Sequence, residues 1–476
     1  MAIKKFLALK DTTITDAIRP NLRSRSKDSN MGASDILEVF SIYGQGIPSL
    51  INENEDQETI EKARILIHYS VDDISLQRSS GKIPPSGQVN FILKLYNAPH
   101  GETLPYDYSL ELFPLNKSWS EGIGLDMEEY SDRGSSRGGR GTDWINSDEE
   151  TQWDNEGGDF DPESQYKKEI LFIEGHEDLE VDITDIVESW IDGTLQNNGL
   201  IIKLKTNYED SFYSTSYYTK RFFARGTEFF FKRPAIYALW NSSEKDDRGK
   251  FYRISPLLSD ETNTNTIYLK SSEDINDVSN PPVELSIKAY SNPLKRPEDE
   301  IYISYTDISW VRTGVYKALL RIDTDINLIY LDWLKEDIVL YSEEIKVLSR
   351  TIKSEELPIY VSNFVNLKNV YSRNETARFR LYSRLKDWSP TIYTKASKNI
   401  ENSIVEKAYF RIVRVADEEI AVDYGEYTLM SYDKTGNYFD LDMNLLEPEY
   451  SYRIELKYEI DGNLLQQPET FKFRVE

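Results

Sequence analysis

The chain has no cysteine, which excludes disulfide scaffolds, thiolate zinc sites and cysteine nucleophiles. Its three histidines, His68, His100 and His176, leave little room for histidine catalysis or a multi-histidine metal site. Basic residues are in deficit: 56 Lys+Arg against 82 Asp+Glu give a net charge of −26. Phosphate backbones and anionic membranes need a basic footprint, so neither nucleic acid nor a membrane is an expected partner. No run approaches the ~18 apolar residues of a membrane helix, and the start, Met1 to Lys10, has too short an apolar run for a signal peptide. The chain reads as soluble and unsecreted. It also lacks Gly-x-x-x-x-Gly-Lys-Ser/Thr. Gly122-Ile123-Gly124 lacks the third glycine of a dinucleotide fingerprint, and His176-Glu177 lacks a second histidine at zincin spacing. Carboxylates are abundant, but no pair stands out as a glycosidase couple. The residues assign no catalytic, cofactor or metal position, and the chain reads as non-enzymatic.

What it has is aromatic weight. The 32 Tyr, 19 Phe and 8 Trp make 12% of the residues, too many for a disordered chain. Period-2 patterns and short apolar runs predict strands at 63–69, 89–96, 108–113 and 199–204. Further strands are predicted at Val283–Tyr290, Val315–Ile322 and Leu328–Trp333. One helix stands out at Asp182–Gly193, with Ile183, Ile186, Val187, Trp190 and Ile191 on one face. Asp182 can cap it and Gly193 can end it, with Trp190 buried against the sheet. Tyr452–Ile460 alternates, Asp461-Gly462 supplies a primed turn, and Thr470–Val475 is a later strand. Leu446, Pro448 and Tyr452 are spaced as in a tyrosine corner, a fibronectin III or immunoglobulin-like pattern. The chain's 476 residues suit about three domains at roughly 150 residues each. The expectation is an all-β protein with sandwich domains at 1–240, 241–345 and 346–476; the first boundary precedes the polar run Asn241–Gly249.

Four features invite functional readings. Residues 120–165 form a long excursion rich in Gly, Ser, Asp and Glu, with Arg133, Arg137 and Arg140; Trp119, Trp144 and Trp153 argue against plain disorder. Its acidic part, 143–163 (Asp143, Asp148, Glu149, Glu150, Asp154, Glu156, Asp159, Asp161, Glu163), suggests calcium, but lacks EF-hand spacing and reads better as a solvated loop. The basic cluster Arg19, Arg23, Arg25 and Lys27 reads as a solvated loop or as a contact to the acidic face of another copy. Tyr208, Phe212, Tyr213, Tyr217 and Tyr218 could stack on sugars but read better as core or interface. The run Phe222 to Phe231 reads as strands buried on both sides, since Phe has no polar handle.

Ordered segments of the first 240 residues resemble the DNRLRE domain, a β-sandwich family related to disaggregatase and carbohydrate-binding modules. They are Lys10-Asp11-Thr12-Thr13-Ile14-Thr15, Asn30-Met31-Gly32, Leu37-Glu38-Val39, Arg64–Tyr69, Leu93–Tyr96, Trp119-Ser120-Glu121-Gly122, Val181–Trp190, Asn197-Asn198-Gly199-Leu200 and Arg233-Pro234. In place of the family's short Thr-Trp-Asn segment after Trp-Ser-Glu-Gly, this chain has its long loop. Gly122–Asp132, Trp144-Ile145, Lys220–Pro234 and Trp310-Val311-Arg312-Thr313-Gly314-Val315-Tyr316 look like the version in virion structural proteins of tailed phages. The resemblance implies a DNRLRE-like head with two Ig-like or fibronectin III-like sandwiches behind it. It implies a structural virion component at the neck, collar or tail, made in the host cytoplasm. Its partners would be other virion proteins and copies of itself, with a host glycan as the alternative ligand of an adhesin or receptor-binding fibre.

Overall fold

In a computed structural model the described residues are 2–19, 24–43, 60–101, 105–128, 141–209, 215–270, 284–312, 314–349, 358–387 and 402–476. They gather into two units, Ala2–Trp240 and Asn241–Glu476. Arg23, Arg133, Arg137, Arg140, Phe212, Tyr213, Val283 and Thr313 lie outside the described residues.

The first unit runs β1 (Ile3–Leu7), β2 (Lys10–Thr15), β3 (Ile36–Tyr43), β4 (Ile60–His68), α1 (Val71–Ser79), β5 (Asn90–Leu95), β6 (Tyr108–Pro114), β7 (Lys168–Phe172), β8 (Leu179–Asp182), α2 (Thr184–Asp192), β9 (Leu200–Leu204), β10 (Tyr217–Phe223) and β11 (Ala235–Leu239). One sheet has the order β1-β11-β5-β8. The other has the order β10-β3-β4-β9-β6-β7, with β2 also pairing β4. β6 and β9 are buried at every position. A half-covered strand would alternate, so both faces of these strands are covered. On one side Trp144, Trp153 and Phe160, from the long excursion, pack with Ile14, Leu66, Phe113, Trp119 and Ile201. The described part of that excursion is therefore a lid on the sheet.

The expected helix forms as α2. The cap position falls to Ile183, which has no side-chain cap bond, and Asp182 just before it accepts from the Thr184 amide at 2.8 Å; Gly193 ends the helix in the left-handed conformation, and Trp190 is buried. A second helix, α1, was not expected. It buries only Ile74 and has no apolar stripe for periodicity to find. Its start is set by Ser70, whose hydroxyl accepts from the Asp73 amide, and its Arg78 grips Glu188 of α2 with two 2.6 Å bonds. The run Phe222–Phe231 is not continuous strand. β10 ends at Phe223, a turn follows, and Phe230–Lys232 is a short 3-10 turn. Phe222 and Phe231 are core, but Phe229 is half exposed.

The second unit continues with β12 (Phe251–Tyr252), β13 (Asn265–Lys270), β14 (Ser286–Tyr290), β15 (Glu300–Ile301), β16 (Ile303–Arg312), β17 (Val315–Ile322), β18 (Leu328–Lys335) and β19 (Ile338–Leu348). A sheet β12-β19-β18-β14-β15 and a sheet β13-β17-β16 share one core around Trp333, Ile267, Ala318, Leu320 and Leu331. Then come β20 (Tyr360–Phe364), β21 (Val370–Tyr371), β22 (Thr376–Leu385), β23 (Ala408–Arg414), β24 (Ile420–Val422), β25 (Ser431–Asp433), β26 (Gly436–Asp442), β27 (Ser451–Ile460) and β28 (Asn463–Val475). Their sheets, β20-β22-β26-β25 and β21-β28-β27-β23-β24, meet through aromatic rings. Phe410 stacks on Phe439 with centroids 3.8 Å apart, and Phe364 meets Phe471 at 4.8 Å. The polar run after Trp240 joins the two sandwiches. Glu244 and Asp246 bond to Ser431 and Tyr432, and Tyr432 donates to Asp247 at 2.8 Å.

The Asp461-Gly462 turn forms with both φ positive, as a primed hairpin turn requires. β28 is one continuous strand from Asn463, longer than the expected Thr470–Val475. The tyrosine corner also forms: Tyr452 donates to the Glu447 carbonyl at 2.7 Å. Tyr452→Phe should lower stability by about 1 kcal/mol, the net worth of a buried hydrogen bond. Urea unfolding of the full chain, followed for the second unit, would measure it.

Candidate functional site

Several of the segments that carry the resemblance meet in one buried knot of the first unit. Asn30 is its hub. Its Oδ1 accepts from the amides of Gly32 (3.2 Å) and Gly124 (2.9 Å), and its Nδ2 donates to the carbonyls of Glu121 and Thr142 at 2.7 Å each. Gly32 is forced by contact: a Cβ there would lie 2.0 Å from the Glu121 carbonyl oxygen. β2 brings Asp11 alongside. Its amide donates to Glu121 Oε1 at 2.9 Å, and its Oδ2 accepts from the Arg225 amide at 2.6 Å. The Arg225 guanidinium holds Glu121 at 2.6 and 3.1 Å. Lys10 donates to the Trp119 carbonyl at 3.0 Å, and the Trp119 indole donates to the Asn198 carbonyl at 3.0 Å. Asn197 closes the ring through the Tyr69 carbonyl at 2.9 Å.

Burial dominates the electrostatics here. Asp11 is 2% exposed, and its carboxyl is pushed up to about 7, chiefly by burial and also by the Glu121 charge. Burial and Lys10 hold His68 below the usual imidazole value. Burial pushes the Tyr69 hydroxyl upward. The Tyr69 hydroxyl and His68 Nδ1 are buried without a hydrogen-bond partner. A carboxyl near neutrality resembles a proton carrier. This one is closed from solvent and spent on a backbone amide, so the arrangement suits holding the sandwich shut.

A second charged network lies between the sheet and its lid. Arg64 binds Glu209 at 2.6 and 3.3 Å and the Gly157 carbonyl at 2.7 Å, with its guanidinium 5.0 Å from the Trp144 ring centre. Gly157 is required, since a Cβ would lie 2.7 Å from Arg64 Nη1 and its φ is +88°. Lys203 sits 3.4 Å from Glu209 and 3.5 Å from Glu111. Burial lowers the Lys203 ammonium below its ordinary value despite these acids. Burial acts to raise Glu111, but Lys167, Thr206 and Lys203 outweigh it and hold it low.

The expected candidates are scattered. In the acidic stretch, Asp143 accepts from the amides of Ile145 and Asn146, and Asp159 from those of Asp154 and Asn155. Asp148 accepts from two amides of its own turn, and Asp161 accepts from the Glu163 amide. Asp154 pairs with Lys117 and Glu156 with Lys27. Among the described residues no three His, Cys, Asp or Glu side chains gather as a metal site. Of the basic cluster, Arg19 meets Asp28 at 2.6 Å and Arg25 binds the Asp16 and Ile60 carbonyls. Tyr208 stacks on Tyr217 with centroids 4.4 Å apart, so those two rings cover each other; Tyr218 is half exposed. The pairing of Glu121 with Arg225 spans 104 residues and left no local trace in the sequence. Lys203 did leave one, as a lysine inside the apolar run Leu200–Leu204.

No protein-family model and no curated protein matches the chain. Among solved structures it is similar to the fibronectin(III)-like modules of Clostridium thermocellum CbhA, at 12% identity and a TM-score of 0.15, covering 49% of this chain and 90% of that one. It is similar to the Yersinia pseudotuberculosis adhesin InvE at 12% identity and 0.16, covering 44% and 54%. It is similar to the N-terminal Ig1-2 module of the Drosophila receptor protein tyrosine phosphatase DLAR at 8% identity and 0.15, covering 50% and 96%. At these scores the likenesses bear on neither ligand nor role.

Two outcomes follow from the charged groups. Folding raises Asp11 from 3.8 to about 7. The fold thus binds this proton more tightly than the unfolded chain. The stability it confers is full below the unfolded value and is lost as pH climbs through the folded one. Asp11→Asn should flatten the fall in Tm over that window and make the variant the more stable protein above it, as thermal melts across pH would show. Glu209→Gln removes the acid between Arg64 and Lys203 and should cost about 3–5 kcal/mol, as for a broken buried pair. Chemical denaturation of the first unit's transition would measure it.

Proposed function

We propose that this chain is a non-enzymatic structural component of a tailed-phage virion, at the neck, collar or tail. It is made in the host cytoplasm and assembled through contacts with other virion proteins and with copies of itself. The observation that carries the reading is the knot. Lys10-Asp11, Asn30–Gly32, Trp119–Gly122 and Asn197–Gly199, four of the segments behind the DNRLRE resemblance, meet through direct hydrogen bonds around buried charges. Sandwich modules follow it in series, as the phage version of the resemblance implies. In the knot and under the lid, Asp11, Glu121, Arg64 and Glu209 are spent on contacts within the fold. Absence of cysteine suits a reducing cytoplasm, and repeated subunits are the rule in symmetric particles. A glycan-binding fibre is the second reading, favoured by the half-exposed rings of Tyr218 and Phe229.

Immunogold labelling of intact particles with antibody to the purified chain tests both. Label at the neck, collar or tail shaft is expected. Label at distal fibre tips would favour the glycan reading, and unlabelled particles, intact or disrupted, would end the virion assignment.

A further inference from the structure

We infer that β16 is a docking edge on which two copies of this chain pair, strand to strand and antiparallel. The inference goes beyond the virion reading and stands or falls apart from it. β16 is ten residues long and forms the outer edge of the sheet β13-β17-β16. Among the described residues it pairs with β17 alone. Long open edges invite pairing, and proteins usually blunt them with Lys, Pro or brevity. β16 has no Lys and no Pro, and it leaves Trp310 50% exposed with Tyr305 and Val311 close behind.

Its sequence is complementary to itself. The register with β17 sets Thr306, Ile308 and Trp310 opposite Leu320, Ala318 and Tyr316, which belong to the core. Asp307 and Ser309 lie opposite Leu319 and Lys317, on the outer face. An irregularity between Trp310 and Arg312 inserts Val311 and brings Arg312 opposite Val315, so Arg312 joins the outer face with Asp307. A two-fold axis at Ser309 then sets Ser309 against itself. It places Ile308 against Trp310 of the second copy, and Asp307 against Arg312 of the second copy, each contact occurring twice. Centring on Asp307 would set two acids face to face, and centring on Ile308 would leave both charges unmatched. The chain's charge of −26 opposes self-association in general, but this strand brings one acid and one base and matches them. Arg312 also meets Glu244 at 2.8 Å, yet its side chain is 59% exposed, and Glu244 keeps Lys270 at 3.1 Å.

Sedimentation of the full chain tests this. The parent should be dimeric. Asp307→Arg and Arg312→Asp should each weaken pairing at least about tenfold, because two attractive pairs become repulsive. An equimolar mixture of the two variants should restore the dimer, since opposite charges face each other again; this also shows that both variants fold. Ser309→Lys, at the axis and away from Glu244, should weaken pairing as well. A parent that stays monomeric at ~100 µM, a dimer indifferent to the reversals, or variants that fail to pair on mixing would overturn the inference. Where the chain sits in a particle is read separately by gold label, so the two failures are distinguishable.

Discussion

In the first unit, apolar rings and buried charges can be covered only together. β4, β6 and β9 present Leu66, Phe113 and Ile201 to the lid, and also Arg64, Glu111 and Lys203. Closing Trp144, Trp153 and Phe160 over the first set removes the second from water. That is costly for an isolated ion and tolerable for a matched one. Glu209 supplies the missing negative charge between Arg64 and Lys203, and the Gly157 carbonyl takes a further Arg64 proton. The apolar lid and the ion network are thus one device. Trp144, Trp153 and Phe160 of the excursion after Trp119 belong to the core of the fold.

The knot around Asn30 extends the same logic to the chain's far-apart segments. Each supplies something its neighbours lack: Asn30 both donors and acceptors, Glu121 the acid for Arg225, Asn197 and Asn198 the bonds that fix Tyr69 and Trp119. Polar groups buried this way must be satisfied or the sandwich pays their desolvation. In the knot and under the lid the first unit turns Asp11, Glu111, Lys203, Trp144 and Trp153 inward. In the second unit, among the described residues, β16 is an outer strand paired with β17 alone.

Much of the fold was legible in the residues. Alternation and short apolar runs mark Val315–Ile322 and Tyr452–Ile460 because a half-buried strand repeats every two residues. Asp461-Gly462 marks its hairpin because positive φ at both positions admits few residues. The Leu446–Tyr452 spacing marks the tyrosine corner because the Tyr452 hydroxyl must reach a carbonyl a few residues upstream. α1 was illegible because it is polar on nearly every side. Phe229 and Phe230 misled because an apolar run states only that burial is available, and the turn after Phe223 redirects the chain.

The sequence by itself determined the class of the protein: acidic, cysteine-free, aromatic-rich and all-β. Those properties follow from composition and local period, and neither depends on which segments meet. Tertiary structure alone decided that Asp143, Asp148, Asp159 and Asp161 accept from amides of their own loop, that Glu121 finds Arg225, and that Trp144, Trp153 and Phe160 close over a charged sheet. It alone decided that β16 ends at an edge with Asp307 and Arg312 on one face. The physical reason is distance along the chain. Partners separated by a hundred residues exert no force on each other until the fold has brought them together, so no local pattern records them.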